Sequence, residues 1–256
     1  MNSEIQTLIE QRPHLRDPLE RYARWLHFSQ SVQEMLSGVQ LVRSEGDARS
    51  YPGNVADAVF DLFLDVLGVS AEHLAPLRAA LARGDLDFLR FPLDDYPVLP
   101  DFSCSPEEAS TVLFLLSRPH FQALRQRSPQ DGGAWVGGRC PLCSAQPVLA
   151  SIVEGPQRRL HCSFCATIGT FRFIGCPHCG NNDVERLGTI VSDDEPGFRI
   201  ATCDECHSYL KTIESSVLQK MSVDLADMAS LPLDMVAQDK GYVRLAPNPI
   251  GLRKMT

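Results

Sequence analysis

No stretch of this 256-residue chain stays apolar for long. The longest uninterrupted run, Val112 to Leu116, falls far short of the roughly 20 residues a helix needs to cross a bilayer, so no membrane insertion is expected. The start, Met1-Asn2-Ser3-Glu4-Ile5-Gln6, lacks the basic residues and apolar centre of a secretory leader, and a cytoplasmic location is the expectation. Excess positive charge is missing too. The formal net charge is −8, which excludes a general attraction to polyanions. The motifs H-E-x-x-H, G-x-S-x-G and a phosphate-binding loop are absent, so the chain is not expected to be an enzyme. Cysteine is scarce outside one region: only Cys104 lies elsewhere, and its surroundings, Phe102 to Pro106, suggest a reduced, half-buried turn residue.

The other eight of the nine cysteines fall between positions 140 and 206, as four Cys-x-x-Cys pairs. These are Cys140-Pro-Leu-Cys143, Cys162-Ser-Phe-Cys165, Cys176-Pro-His-Cys179 and Cys203-Asp-Glu-Cys206. A thiolate is a soft anionic ligand, and a Cys-x-x-Cys turn aims two of them at one ion. Two such turns make a tetrahedral S4 cage, so eight sulfurs make two. In a reducing compartment this pattern favours metal over disulfides. A dithiol oxidoreductase would show one pair at a helix start in a βαβ setting, not four among hairpins. Three groupings into two cages are possible. The sequential one places Cys140, Cys143, Cys162 and Cys165 around one ion and Cys176, Cys179, Cys203 and Cys206 around the other. Each intervening segment reads as a hairpin that brings its own ends together, so this grouping is the economical one. The metals fitting four thiolates are iron and zinc, which spacing does not separate. His161, His178 and His207 stand beside cysteines but are not needed as ligands. Gly180, Ser144 and Ala166 follow second cysteines and would let backbone N–H groups turn toward sulfur.

The surrounding pattern gives an α+β chain. Residues 1–133 read as an α-helical domain. Capped starts lie at Ser3, Asp17-Pro18, Asn54, Ser70 and Ser105-Pro106-Glu107-Glu108, with a loop at 44–53, a proline-rich connection from Phe91-Pro92 to Pro100, and a last helix ending before Pro119. The apolar positions Tyr22, Leu26, Val32, Met35, Leu36 and Val39 mark the expected inner face of the second helix. Residues 134–174 and 175–215 then repeat one layout: knuckle, hairpin, knuckle, strand. That is the layout of a rubredoxin-like or zinc-ribbon module. The first hairpin turns at Gly155-Pro156, the second at Asp193-Asp194-Glu195-Pro196-Gly197. Residues 216–256 form a C-terminal helical tail, bent at Pro232, with an extended end expected to pack back on the rest. Leu225, Met228, Ala229, Leu231, Met235 and Val236 would be its apolar face.

Zinc ribbons often hold nucleic acid, and charge tests that use. From Ala134 to Ser215 there are seven basic and nine acidic residues, a net −2. Phosphate neutralisation lacks the cations it needs, so no nucleic acid is expected and a protein partner is favoured. The acidic turn Asp193-Asp194-Glu195 is a candidate contact for it.

One resemblance is specific. The four pairs, the Ser192-Asp193-Asp194-Glu195 turn, Tyr209-Leu210-Lys211, Asp224-Leu225-Ala226-Asp227-Met228-Ala229-Ser230-Leu231, Gly241-Tyr242-x-Arg244 and Asn248-Pro249 occur in the order seen in the formate dehydrogenase accessory (formation) protein FdhE family. The chain resembles that family over its C-terminal half. The resemblance implies a cytoplasmic factor for maturation of formate dehydrogenase, with two rubredoxin-like metal sites reported for the family as iron-binding. It also implies contact with that enzyme's catalytic subunit, and carries the ligand role onto the eight cysteines. Ala166-Thr167-Ile168-Gly169, where the family commonly has an acid and a tryptophan, departs from the pattern, as does Pro232.

Overall fold

A computed structural model describes residues 3–39, 51, 53–83, 85, 105–127, 132–152 and 157–255. Cys104, the Phe91–Pro100 connection and the Gly155-Pro156 turn lie outside the described residues, as does most of the loop expected at 44–53. The chain divides into two compact units, Met1–Leu19 with Gln130–Thr256, and Glu20–Pro129.

The second of these units is helical. It takes most of α2 (Arg16–Leu36), then α3 (Gly53–Leu67), α4 (Ala75–Arg83) and α5 (Pro106–Arg127). Its core is aromatic-rich, with Trp25, Phe28, Phe60, Phe63 and Phe121 almost wholly buried. In α2 the buried apolar positions are Leu19, Tyr22, Trp25, Phe28, Val32 and Leu36. The stripe is shifted from the expected one, for Met35 is exposed.

The capped start at Ser105 is present. Ser105 Oγ accepts from Glu108 N at 3.2 Å, and the Glu108 carboxylate accepts from Ser105 N at 2.9 Å. The expected stop before Pro119 is not: α5 runs through Pro119 to Arg127. Proline removes the N–H that would reach the carbonyl four residues back. That carbonyl belongs to Leu115, and Trp25 Nε1 donates to it at 3.0 Å. Tyr51 similarly donates its hydroxyl to Leu116 O at 2.7 Å.

The other unit combines α1 (Ser3–Gln11), a sheet and the C-terminal helices. The strands are β1 (Gly132–Ala134), β2 (Pro147–Ile152), β3 (Gln157–Cys162), β4 (Ile168–Arg172), β5 (Leu187–Val191), β6 (Phe198–Cys203), β7 (Ser208–Glu214) and β8 (Val243–Arg244). Two antiparallel meanders, β2-β3-β4 and β5-β6-β7, match the repeated layout in the sequence. They are joined by a pairing the sequence does not announce: β2 runs parallel to β7, with Ala150 opposite Thr212 and Ile152 opposite Glu214. The result is one eight-stranded sheet in the order β1-β4-β3-β2-β7-β6-β5, with β8 also on β7.

One face of that sheet is covered from the C-terminal side. Leu149, Phe198, Ile200, Tyr209 and Ile213 pack with Val217, Ala226, Leu233 and Ala237, and a fully buried Leu, Ile or Phe contributes about 1.5–3 kcal/mol. α6 (Ser215–Leu218) precedes two helices, α7 (Val223–Ala229) and α8 (Leu231–Asp239). Pro232 therefore marks a break rather than a bend. It occupies the first turn of α8, where its missing N–H is not required. Met235 and Val236, expected in the apolar face, are exposed.

Lys211 is completely buried in this layer. Its Nζ lies 2.6 Å from both Asp227 Oδ1 and Asp234 Oδ2, and Arg244 closes the set at 2.6 and 2.7 Å to the same two carboxylates. Two positive and two negative charges thus tie β7, α7, α8 and β8 together without net charge.

Candidate metal centres

Each pair sits in a tight turn fixed by its own backbone. Ser144 N donates to Cys140 O at 2.8 Å while Cys140 N donates to Ala145 O at 3.0 Å. The third pair repeats this, with Gly180 N to Cys176 O at 3.0 Å and Cys176 N to Asn181 O at 2.7 Å. The residue after each second cysteine is left-handed: Ser144 (φ 62°), Ala166 (φ 60°), Gly180 (φ 81°) and His207 (φ 50°). Only one is glycine. The other three carry a cost of about 1 kcal/mol each, which ligation of an ion would offset.

The turns bring the sulfurs together in the sequential grouping. Cys140, Cys143, Cys162 and Cys165 form one set and Cys176, Cys179, Cys203 and Cys206 the other, all four sulfur atoms of each lying within 4.8 Å of one another. Separations are 3.5 Å for Cys140–Cys165, 3.4 Å for Cys143–Cys162 and 3.7 Å for both Cys176–Cys206 and Cys179–Cys203. An ion about 2.3 Å from each of four sulfurs would set them about 3.8 Å apart, whereas a disulfide needs about 2.05 Å. All eight are free thiols. The donor set fits a tetrahedral ion of the zinc or iron kind.

The centres differ in exposure. The first is closed, with every sulfur-bearing residue buried. In the second, Cys179 is exposed and Cys206 partly so.

Burial pushes the Cys143 and Cys162 thiols well above their ordinary value and lifts Cys176 to about 12. Four thiolates are not sustained there without a cation between them. Hydrogen bonds would then hold the charged form. His178 N points at Cys176 Sγ (3.4 Å) and Asn181 Nδ2 at Cys203 Sγ (3.7 Å). Thr167 Oγ1 lies 3.0 Å from Cys165 Sγ, and Ser208 Oγ 3.0 Å from Cys206 Sγ. These two hydroxyls were not picked out from sequence. The signal was available, for each set ends in Cys-x-Thr or Cys-x-Ser, Cys165-Ala166-Thr167 and Cys206-His207-Ser208.

The three histidines stay out of both sets. His161 is buried with Nε2 2.9 Å from Ser151 Oγ, and His178 Nδ1 lies 3.0 Å from Gln146 Oε1. Burial lowers both to about 4, so each is neutral at physiological pH. Within the acidic turn Asp193 and Asp194 are exposed and Glu195 is withdrawn. Glu195 is only 6% exposed, its carboxylate held by Arg12, so it does not offer itself to a partner.

The centres are mechanically linked. At Gly138 (φ 68°) a Cβ atom would lie 1.7 Å from Pro177 O, so the chain entering the first module presses on the knuckle of the second. Only glycine permits that approach.

Residues 174–250 match the family model described as the C-terminal domain of FdhE. Proteins named "Protein FdhE homolog" also align with this chain. One from Aquifex aeolicus (strain VF5) is 31% identical over 121 residues, covering 46% of this chain and 43% of that protein. Another, from Shewanella baltica (strain OS223), is 35% identical over 114 residues, 43% of this chain and 38% of its own length. The C-terminal part of the chain is similar to the FdhE family. A longer match, to Rhizobium meliloti (strain 1021), is 28% identical over 200 residues, 73% of this chain and 61% of the relative. The chain thus spans about two-fifths of the length of the first two relatives. The crystal structure of the FdhE protein from Pseudomonas aeruginosa shares the fold, with a TM-score of 0.64 at 20% identity over 96% of this chain and 93% of that one. No described helix is long and apolar enough to cross a membrane.

Proposed function

We propose that this protein is a cytoplasmic accessory factor for the maturation of formate dehydrogenase, and that it acts by binding the enzyme's catalytic subunit. The observation that carries the reading is the pair of four-cysteine sets built into one sheet, in a chain whose C-terminal part is similar to the FdhE family. In it, Cys140, Cys143, Cys162 and Cys165 hold one ion and Cys176, Cys179, Cys203 and Cys206 the other. Zinc would supply shape alone, and iron would add one-electron chemistry. The reading contains no catalytic step.

Charge supports a protein partner over nucleic acid. Of the seven basic residues in the ribbons, Arg186, Arg199 and Lys211 are engaged by Glu205, Glu214 and the Asp227–Asp234 pair. Phosphates would have to compete with those carboxylates.

The test is genetic and physical together. Deleting the gene is expected to abolish formate-dependent dye reduction, wild-type protein to restore it, and Cys176→Ser to fail. A tagged copy is expected to retain the catalytic subunit. Normal dye reduction in the deletion strain would remove the accessory role. Elemental analysis and a visible spectrum, on protein purified without added metal, separate iron from zinc.

A further inference from the structure

A cavity of about 260 Å³ opens beside Cys176 and Cys203, between strands of the sheet and the segment joining the two modules. Phe173, Ile174 and Val184 line it and are 48%, 54% and 62% exposed, large apolar side chains held out to solvent. Among the described residues no aspartate or glutamate lines it, in a chain that has 32 acidic residues. Two further lining residues, Arg158 and Thr212, are 6% and 7% exposed. The Nε of Arg158 and the hydroxyl of Thr212 meet no hydrogen-bond partner among the described residues. Another nitrogen of Arg158 donates to Gly175 O, which fixes the guanidinium and leaves the Nε–H over. A buried polar group without a partner is unfavourable, so an acceptor arriving here would be favoured.

Volume and charge narrow what fits. Sites for drug-sized molecules run from about 300 to 1,000 Å³, and this one suits a single large side chain. Four thiolates around a divalent ion would leave a charge of about −2 next to Arg158. The guanidinium is then already compensated, and a further carboxylate would be repelled. The acceptor that fits is neutral. We propose that this cavity receives one bulky apolar side chain of an uncharged peptide segment, whose backbone carbonyl accepts from Arg158 Nε–H and the Thr212 hydroxyl. The inference rests on the proposed function only for the identity of the natural peptide.

The probe is N-acetyl-phenylalanine amide, titrated into the metal-loaded full-length protein and followed by NMR. Saturable shifts are expected at the methyl groups of Ile174, Val184 and Thr212 and at Arg158 Nε–H, with millimolar affinity. N-acetyl-phenylalanine, which bears a carboxylate, is expected to bind at least about threefold more weakly. Ile174→Glu, at an exposed position, should weaken the amide at least about fivefold without changing metal content, and Thr212→Val should weaken it as well. Absence of saturable shifts, or shifts indifferent to Ile174→Glu, overturns the site. Tighter binding of the carboxylate overturns the neutral-acceptor assignment. Competition with the catalytic subunit separates this inference from the functional reading. If the subunit binds but the saturating amide and Ile174→Glu leave it in place, the cavity is not its docking point and the accessory role stands. If the amide binds as described and the subunit does not bind at all, the accessory reading fails and the site stands.

Discussion

Arg12 and Glu195 stand 183 positions apart in the chain, yet the guanidinium grips the carboxylate through two hydrogen bonds, at 2.5 and 2.7 Å. The same arginine donates to Ala229 O at 2.9 Å, so one side chain ties the N-terminal segment to the β5–β6 turn and to the end of α7. A bidentate pair of this kind, partly withdrawn from water, exceeds an ordinary surface salt bridge. Arg12→Ala is expected to destabilise this unit by about 2 kcal/mol, because it leaves Glu195 buried and unpaired. Glu195→Ala should cost a similar amount, and the double variant little more than either. Urea unfolding of the four proteins gives the coupling directly, and additive losses would show the pair to be energetically idle.

The difference in exposure between the two four-cysteine sets leads to a kinetic expectation. An entering chelator reaches the second set through Cys179 and meets only buried sulfur at the first. Metal release to a coloured chelator should therefore be biphasic, with one equivalent leaving on the order of tenfold faster. Cys179→Ser is expected to remove the fast phase and spare the slow one, and a single phase for both ions would contradict this. The pH dependence has a definite sign. Burial lifts the free Cys176 thiol to about 12, so at neutral pH the ion displaces a proton when it binds. Affinity should fall as pH falls, read by the same chelator.

The sequential sulfur grouping was legible because it is local: each Cys-x-x-Cys turn and its hairpin are contiguous in the chain. What joins the modules was not. The β2–β7 parallel pairing depends on contacts between residues about 60 positions apart, with no motif of its own. Lys211 shows the same limit. Alternation along β7 puts it on the face of Tyr209 and Ile213, where a lone lysine would be stranded, and only the tail, folded back with Asp227, Asp234 and Arg244, makes its burial tolerable. Pro119 misled for a related reason. Its helix-breaking effect is local, whereas the compensating Trp25 indole arrives from another helix.

His120 lies on α5 in the helical unit, wholly buried between the rings of Tyr51 and Phe121. Burial, with some help from Arg127, lowers its pKa to about 4 against about 6.5 in an unfolded chain. Between these values the unfolded state binds more protons than the folded one, so stability rises with pH through that window. The contribution is fully present above about pH 6.5 and lost as pH drops toward 4. Hydrogen exchange along α5 is expected to quicken over that range, and His120→Leu to flatten the dependence. An imidazole that titrates above pH 5 by NMR in the native protein would contradict the assignment.

The buried set of Lys211, Asp227, Asp234 and Arg244 makes the sharpest energetic test, since its four charges balance and are almost entirely out of water. Removing one member leaves a charge stranded. Lys211→Met is expected to cost about 3–5 kcal/mol, because two carboxylates then share one arginine. Replacing Asp227 as well, in Lys211→Met with Asp227→Leu, restores balance around Arg244 and Asp234, and the double variant should be more stable than the single one. Burial opposes ionisation of Asp234, but Arg244 and Lys211 outweigh it and hold its carboxyl below the usual range. That contribution is present above about pH 4 and lost on further acidification. Thermal unfolding of the three proteins at neutral pH decides the matter. A double variant less stable than Lys211→Met alone would mean that packing and the individual hydrogen bonds, rather than charge balance, hold the C-terminal layer on the sheet.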